Sequence, residues 1–175
     1  MLSFLKGYVN FVNSLNEKIG TAISWLTLVL VLVVCYDVFT RYLLETSVVA
    51  VQELQWHIFS IIFLIAAAYS LKHDKHVRVD VLYTRFSEKN RAWIDFFGSL
   101  IFLIPFCALA IWCSQNFVES SFKFAETSPD PGGLPARYIL KACIPLGFFL
   151  LLLQGFGLAF DSLLTALGKN EETNQ

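Results

Sequence analysis

Two pairs of titratable side chains are spaced so that they could meet on one face of a helix. Asp37 and Arg41 are four residues apart, and so are Glu53 and His57. The first spacing allows an ion pair and the second allows a carboxylate to meet an imidazole. The second arrangement could serve as a general base, but the sequence around it has no nucleophile pattern, metal cluster or glycine-rich phosphate loop. We therefore expect polar contacts to another subunit or local pairs here, with Trp56 beside them, and no catalytic residues.

The histidines and cysteines do not predict a cofactor or a metal. A membrane haem needs two histidines at matching depth on different helices. His57 lies near the outer end of one predicted helix and His73 lies past its inner end, sixteen residues later, or about 24 Å at the helical rise. His73 and His76 could form only a weak metal site, and a solvated basic loop is the ordinary interpretation of that segment. The four cysteines lie in apolar runs without a C-x-x-C pair, so we expect small hydrophobic residues there.

The composition and the apolar runs indicate an all-α integral membrane protein with four transmembrane helices. Of the 175 residues, 56% are hydrophobic and 15% are charged, against about 25% charged in a soluble domain. The net charge of −1 gives no attraction for nucleic acid. Four runs contain no Asp, Glu, Lys or Arg, namely residues 19–36, 54–71, 96–118 and 142–160. A bilayer core requires about 17–25 apolar residues in a helix, and each run meets that length.

The predicted layout is a single four-helix membrane domain over residues 1–175. Its spans are residues 19–42, 48–71, 93–118 and 137–164. Between and beside them we expect an amphipathic N-terminal helix at 1–18, a short cytoplasmic interfacial helix at 79–91, an external loop at 127–135 and a polar tail at 168–175. For the N-terminal segment, a plain extension of the first span is the alternative. Pro105 predicts a kink in the third span, and Gly155 and Gly157 allow close packing in the fourth.

The distribution of Lys and Arg predicts the orientation. Nine of these residues lie in the N-terminal segment, the second connection and the C-terminal tail, and four lie in the other two connections and at their helix ends. Because positive residues stay on the cytoplasmic side, we expect both termini in the cytoplasm. The third connection, with three prolines and two glycines between Thr127 and Pro135, would then be a shaped turn facing outside. Ser87 or Asp80 would cap the interfacial helix.

Several segments occur in an order that resembles a known family. Asp37-Val-Phe-Thr-Arg-Tyr42 closes the first span and Glu53-Leu-Gln-Trp-His57 opens the second. The basic segment His76-Val-Arg-Val-Asp80 follows the second span, and Pro129 to Pro135 leads into the last one. In length, spans and segments the chain resembles the small membrane subunit, of the DctQ type, of tripartite ATP-independent periplasmic (TRAP) transporters.

The resemblance implies a non-catalytic scaffold subunit in the bacterial or archaeal inner membrane. Its partners would be a large multi-span membrane subunit that holds the substrate and sodium sites, a periplasmic substrate-binding protein and membrane lipid. Transport would be driven by sodium and would carry an organic acid anion. A membrane-anchor subunit of a respiratory oxidoreductase is the alternative.

The resemblance also suggests which residues would meet the partners. Near the outer membrane face, the large subunit or the binding protein would contact Asp37, Arg41, Glu53, Trp56, His57, Pro129, Pro131, Gly132 and Gly133. Arg78, Asp80 and Arg85 would lie at the cytoplasmic surface and contact lipid phosphates or hold the loop helix.

Overall fold

The computed structural model describes residues 2–73 and 86–168, and these form four long helices. The helices are α1 (Leu2–Leu43), α2 (Val49–Lys72), α3 (Glu88–Lys123) and α4 (Arg137–Ala166). No strand occurs in either described range. Each helix is long and apolar enough to cross a membrane, which confirms the predicted all-α fold with four spans.

Residues 2–43 form one continuous helix rather than a surface helix followed by a span. At 42 residues, α1 is about 63 Å long, roughly twice the thickness of the hydrocarbon core. No proline interrupts this segment, so nothing in the backbone forces a break. Helical extension, the alternative considered for the N-terminal segment, is therefore the arrangement observed.

The third helix begins earlier than predicted. Ser87 is its N-cap, and the side chain of Ser87 accepts a hydrogen bond from the main-chain N–H of Asn90. The helix then runs on to Lys123, so Ser87 caps this span and not a separate interfacial helix. Residues 79–85 of the predicted interfacial helix lie outside the described residues.

The middle of α3 is irregular. A π-helical turn at Ser99–Leu103 precedes Pro105, and because proline has no N–H, the preceding turn lacks one hydrogen-bond donor.

Helix α4 lies at the centre of the bundle. In the apolar 18-residue stretch of α4, 39% of the residues are buried, whereas 6% are buried in the corresponding stretch of α1. Helices α2 and α4 run in the same direction, and α1 and α3 run opposite to them, so one end of the bundle carries both the α1–α2 and the α3–α4 connections. We call this end, with Leu43, Val49, Lys123 and Arg137, the loop end.

Two small apolar clusters hold α4 against its neighbours. Ile65, Ala68 and Leu150 form the first, with Ile19 and Ile23 of α1 packed on it. The second cluster consists of Leu71, Cys107 and Leu151, with Leu103 and Phe148 among its partly buried neighbours. Both clusters meet α4 near its middle, at Leu150 and Leu151.

A buried amide cluster joins α1 to α4, and the sequence analysis did not predict it. The Asn16 side-chain N–H donates to Gln154 Oε1 at 2.7 Å, and the Gln154 N–H donates to Asn13 Oδ1 at 3.0 Å. Asn16 is only 1% exposed, so this part of the polar face of residues 1–18 turns inward. Nearby, the Tyr8 hydroxyl donates to the main-chain oxygen of Leu153 at 3.1 Å. Amide contacts between helices are specific in an apolar surrounding, so they fix the relative position of α1 and α4.

Candidate functional site

Glu53 is buried at the loop end and is the centre of a hydrogen-bonded cluster. Its Oε1 accepts from the Ser128 hydroxyl at 2.5 Å and from the Arg137 guanidinium at 3.1 Å. Its Oε2 accepts from the main-chain N–H of Leu134 at 2.5 Å. We call Glu53, Ser128, Leu134 and Arg137 the Glu53 cluster. Its three donors come from the α3–α4 connection and the start of α4, so a single side chain of α2 holds that whole segment in place.

The α3–α4 connection has a defined backbone structure of its own. Helix α3 ends in a Schellman motif: the N–H of Glu126 bonds the carbonyl of Ser121, the N–H of Ala125 bonds that of Phe122, and Ala125 has φ 43°. The N–H of Arg137 then bonds the carbonyl of Glu126 at 2.9 Å. These bonds bring the two ends of the connection together.

The tip of the connection is a tight turn that depends on its proline and glycines. The N–H of Gly133 bonds the carbonyl of Asp130 at 3.0 Å, and Gly132 between them has φ 81°. With Pro131 in second position, this is the pattern of a type II β-turn. A Cβ on Gly133 would overlap the side chains of both Ser128 and Glu53. The predicted shaped turn is therefore present, and its glycine allows it to approach Glu53.

The predicted residues of this segment have different exposures. Pro129, Pro131 and Gly132 are exposed, whereas Gly133 is half-buried against the Glu53 cluster. The exposed tip is thus available to another molecule, and Glu53 is not, because its carboxylate is occupied within the chain.

Trp56 and His57 lie beside Glu53 but do not bind its carboxylate. His57 Nδ1 lies 2.6 Å from the main-chain oxygen of Glu53, so the carboxylate–imidazole contact allowed by the spacing does not form. The Trp56 ring packs against His57 at an angle of 37°, with ring centroids 4.0 Å apart, and the Arg137 guanidinium carbon lies 5.5 Å from the Trp56 centroid. The Arg137 side chain is therefore fixed by both a carboxylate and an aromatic ring.

Asp37 and Arg41 form the local ion pair that their spacing allows, at 2.5 Å. Asp37 is buried, whereas the Arg41 side chain is 46% exposed. The carboxylate thus faces the protein, and the guanidinium is the part of the pair that another molecule can reach.

All four basic residues at the loop end are paired with a carboxylate. The pairs are Arg41–Asp37, Lys123–Glu119, Arg137–Glu53 and Lys141–Glu126. The Lys141 ammonium holds the pKa of the Glu126 carboxyl below its usual range. The pair therefore contributes its full stabilisation of the fold at pH values above the ordinary pKa of a glutamate. This stabilisation is lost as the pH falls through the lowered pKa of Glu126. Pairing reduces the cost of holding these charges close to an apolar environment.

The predicted site residues and the observed polar cluster overlap only in part. Arg78, Asp80 and Arg85 lie outside the described residues. Within the described ranges, no group of three or more His, Cys, Asp or Glu is arranged to hold a metal ion. Sequence reasoning missed Ser128, Arg137 and Gln154, although a single amide in an apolar run and a charge at a helix start are recognisable signals.

Comparison with known proteins identifies the family. No curated protein matches the chain. The family model that matches is DctQ, described as the DctQ component of tripartite ATP-independent periplasmic transporters, over residues 30–165. The match begins within α1, includes all of α2 and α3, and ends one residue before α4 does. It supports a transporter component and gives no support to the oxidoreductase anchor. With four membrane-length helices and a match over more than half of its length, this multi-pass membrane protein belongs to the DctQ component family of tripartite ATP-independent periplasmic transporters.

Proposed function

We propose that this subunit is a non-catalytic scaffold that braces the large membrane subunit of a TRAP transporter and presents a preformed loop to the substrate-binding protein. Family membership supports the transporter role. The observation that supports the scaffold role is that all four cationic side chains at the loop end are paired with carboxylates of the same chain. A carrier of a charged solute needs polar groups along its path, and the four apolar runs of this sequence contain no charged residue.

The proposed setting is the bacterial or archaeal inner membrane, with both termini in the cytoplasm. The large subunit would hold the substrate and sodium sites and carry an organic acid anion on a sodium gradient. The loop end would face the periplasm, where the exposed Pro129 and Pro131 can meet the binding protein. The excess of Lys and Arg at the opposite end supports this orientation.

Purification from the native background tests the proposal. The tagged chain, extracted in mild detergent, is expected to retain one large multi-span membrane protein in one-to-one stoichiometry. That complex, reconstituted with the binding protein, should accumulate an organic anion on a sodium gradient, and the small subunit alone should not. Accumulation by the small subunit alone, or a partner that carries flavin or iron–sulfur clusters, would contradict the scaffold role.

Cysteine labelling tests the orientation. In a background without native cysteines, Lys89→Cys at the start of α3 and Thr127→Cys in the connection place exposed thiols at opposite ends of the bundle. A membrane-impermeant maleimide should label Thr127→Cys in cells with a permeable outer envelope. Lys89→Cys should react only after the inner membrane is opened. The reverse pattern would invert the proposed topology.

The tip of the connection is the part proposed to dock the binding protein. Pro129→Ala with Pro131→Ala removes exposed contact surface but leaves both glycines of the turn in place. We expect the double variant to bind the binding protein about fivefold more weakly, the loss typical of a modest contact residue. Biolayer interferometry on the complex in nanodiscs measures this, with the exposed Glu119→Gln of α3 as the control. Equal affinities of the double variant and the wild type would remove the tip from the docking surface.

A further inference from the structure

A groove between α2 and α4 runs from the loop end toward the middle of the bundle. Its first part is a cavity of about 400 Å³, with Phe59 and Phe63 of α2 and Leu140 and Ile144 of α4 among its lining residues. A second cavity of about 180 Å³ shares Phe63 with the first and extends to Leu151. The two cavities follow one another along α2 and α4 and share Phe63 and Leu64 in their lining, and together we call them the channel.

The groove has a cationic mouth and an apolar remainder. Arg137 and Lys141 line the first cavity at the loop end. Arg137 uses one terminal nitrogen for Glu53, while its Nε is buried and has no hydrogen-bond partner among the described residues. Lys141 donates to Glu126, and an ammonium group has three donors. Two cationic side chains therefore lie at the mouth of an apolar channel, and the Lys141 ammonium has donors left for a ligand there.

The length of the groove corresponds to one leaflet of a bilayer. Arg137 and Leu151 are fourteen residues apart on α4, a rise of about 21 Å. Half of a hydrocarbon core is about 15 Å thick, and the remainder reaches the headgroup region. A molecule that fits has an anionic group at one end and a long apolar tail at the other.

We propose that this groove binds a glycerophospholipid of the leaflet at the loop end, with its phosphate on Arg137 and Lys141 and an acyl chain along Phe63 toward Leu151. A phosphate oxygen accepts a further hydrogen bond of Lys141, and the Arg137 guanidinium lines the same mouth. Charge complementarity distinguishes this occupant from an apolar helix of a partner, which would cover the channel but bring no anion to Arg137 and Lys141 at its mouth. Because Glu53 and Glu126 already balance the two cations, a zwitterionic headgroup is sufficient.

Photocrosslinking in vesicles tests the proposal on the full chain and on its purified complex. Both are reconstituted in phosphatidylethanolamine and phosphatidylglycerol with a trace of phosphatidylethanolamine that carries a diazirine on its acyl chain. Labelled peptides are then mapped by mass spectrometry. We expect residues 59–64 and 140–151 to be labelled more strongly than the outward face of α1 at Leu28 and Leu32, which are 51% and 60% exposed and report ordinary lipid contact.

Two variants separate a specific site from general lipid contact. Ile144→Trp fills the channel and should lower groove labelling about tenfold without changing the labelling of α1. Glu126→Gln with Lys141→Gln removes the ammonium group from the mouth and preserves net charge, so it should lower groove labelling by about fivefold or more. The matched control is Glu119→Gln with Lys123→Gln, an exposed pair at the same end, which should leave labelling unchanged.

Three results would overturn the lipid site. Groove labelling no stronger than that of α1 would indicate ordinary surrounding lipid. Groove labelling equal to wild type in both variants would show that neither the channel nor its cationic mouth selects the lipid. Labelling of the isolated chain that disappears in the complex would show that a partner subunit occupies the groove.

Discussion

Replacing Glu53 with glutamine is expected to release the α3–α4 connection and reduce transport. Both carboxylate oxygens accept hydrogen bonds, from Ser128 and Arg137 on one side and from the Leu134 N–H on the other. The glutamine side chain has one oxygen and one N–H₂ group. Whichever way the amide is turned, its N–H₂ group therefore faces either the Arg137 guanidinium or the Leu134 N–H, and that donor loses its acceptor. The bonds lost are charge-assisted, which are about twice as strong as neutral ones.

Hydrogen–deuterium exchange on the purified complex measures this release. In Glu53→Gln, the amides of residues 126–136 are expected to exchange about tenfold faster or more, with the Leu134 amide among the most affected. Substrate uptake should fall while expression stays at the wild-type level, because the tip that we propose docks the binding protein is no longer held in position. Glu119→Gln is the matched control, since its pair with Lys123 is exposed and contributes little. Unchanged exchange in Glu53→Gln would show that the connection holds its structure without this carboxylate.

Replacing Gly147 with alanine is expected to separate α2 from α4. A Cβ at this position would lie 2.6 Å from the carbonyl oxygen of Leu64. A main-chain oxygen cannot rotate away as a side chain can, so the two helices must move apart. Overpacking of this kind costs about 1–3 kcal/mol. The same contact between α2 and α4 also contains the apolar clusters around Leu150 and Leu151.

The same substitution ten residues later provides the control. A Cβ on Gly157 would have no neighbour closer than 3.9 Å, so Gly157→Ala should not lower stability and gains the helix propensity of alanine. The free energy of unfolding in mixed detergent, followed by circular dichroism, measures both variants. Equal stabilities of Gly147→Ala and Gly157→Ala would mean that the α2–α4 contact can relax at no cost.

The helices of this protein were predictable because the bilayer imposes a simple rule on the sequence. A segment in lipid must satisfy its own backbone hydrogen bonds over a fixed thickness, so charge-free runs of sufficient length identify spans. Turn chemistry is equally local, and Pro131 followed by two glycines predicted the shaped turn that the structure has at Gly132. Helix ends were less predictable, because an apolar run does not mark where a continuous helix such as α1 begins.

The contacts that define the site depend on tertiary structure. Sequence spacing pairs Glu53 with His57 four residues away, yet the carboxylate binds Ser128 and Arg137, which are 75 and 84 residues away. The sequence predicts close packing at Gly155 and Gly157, but the glycine whose added Cβ would meet a neighbouring main chain is Gly147. The sequence by itself determined the number of helices, their membrane character and the turn at the tip, because hydropathy and turn preference act over a few residues. Only the packing of α2 on α4 decided which donors reach Glu53 and which glycine must stay small, because those distances are set by the relative placement of whole helices.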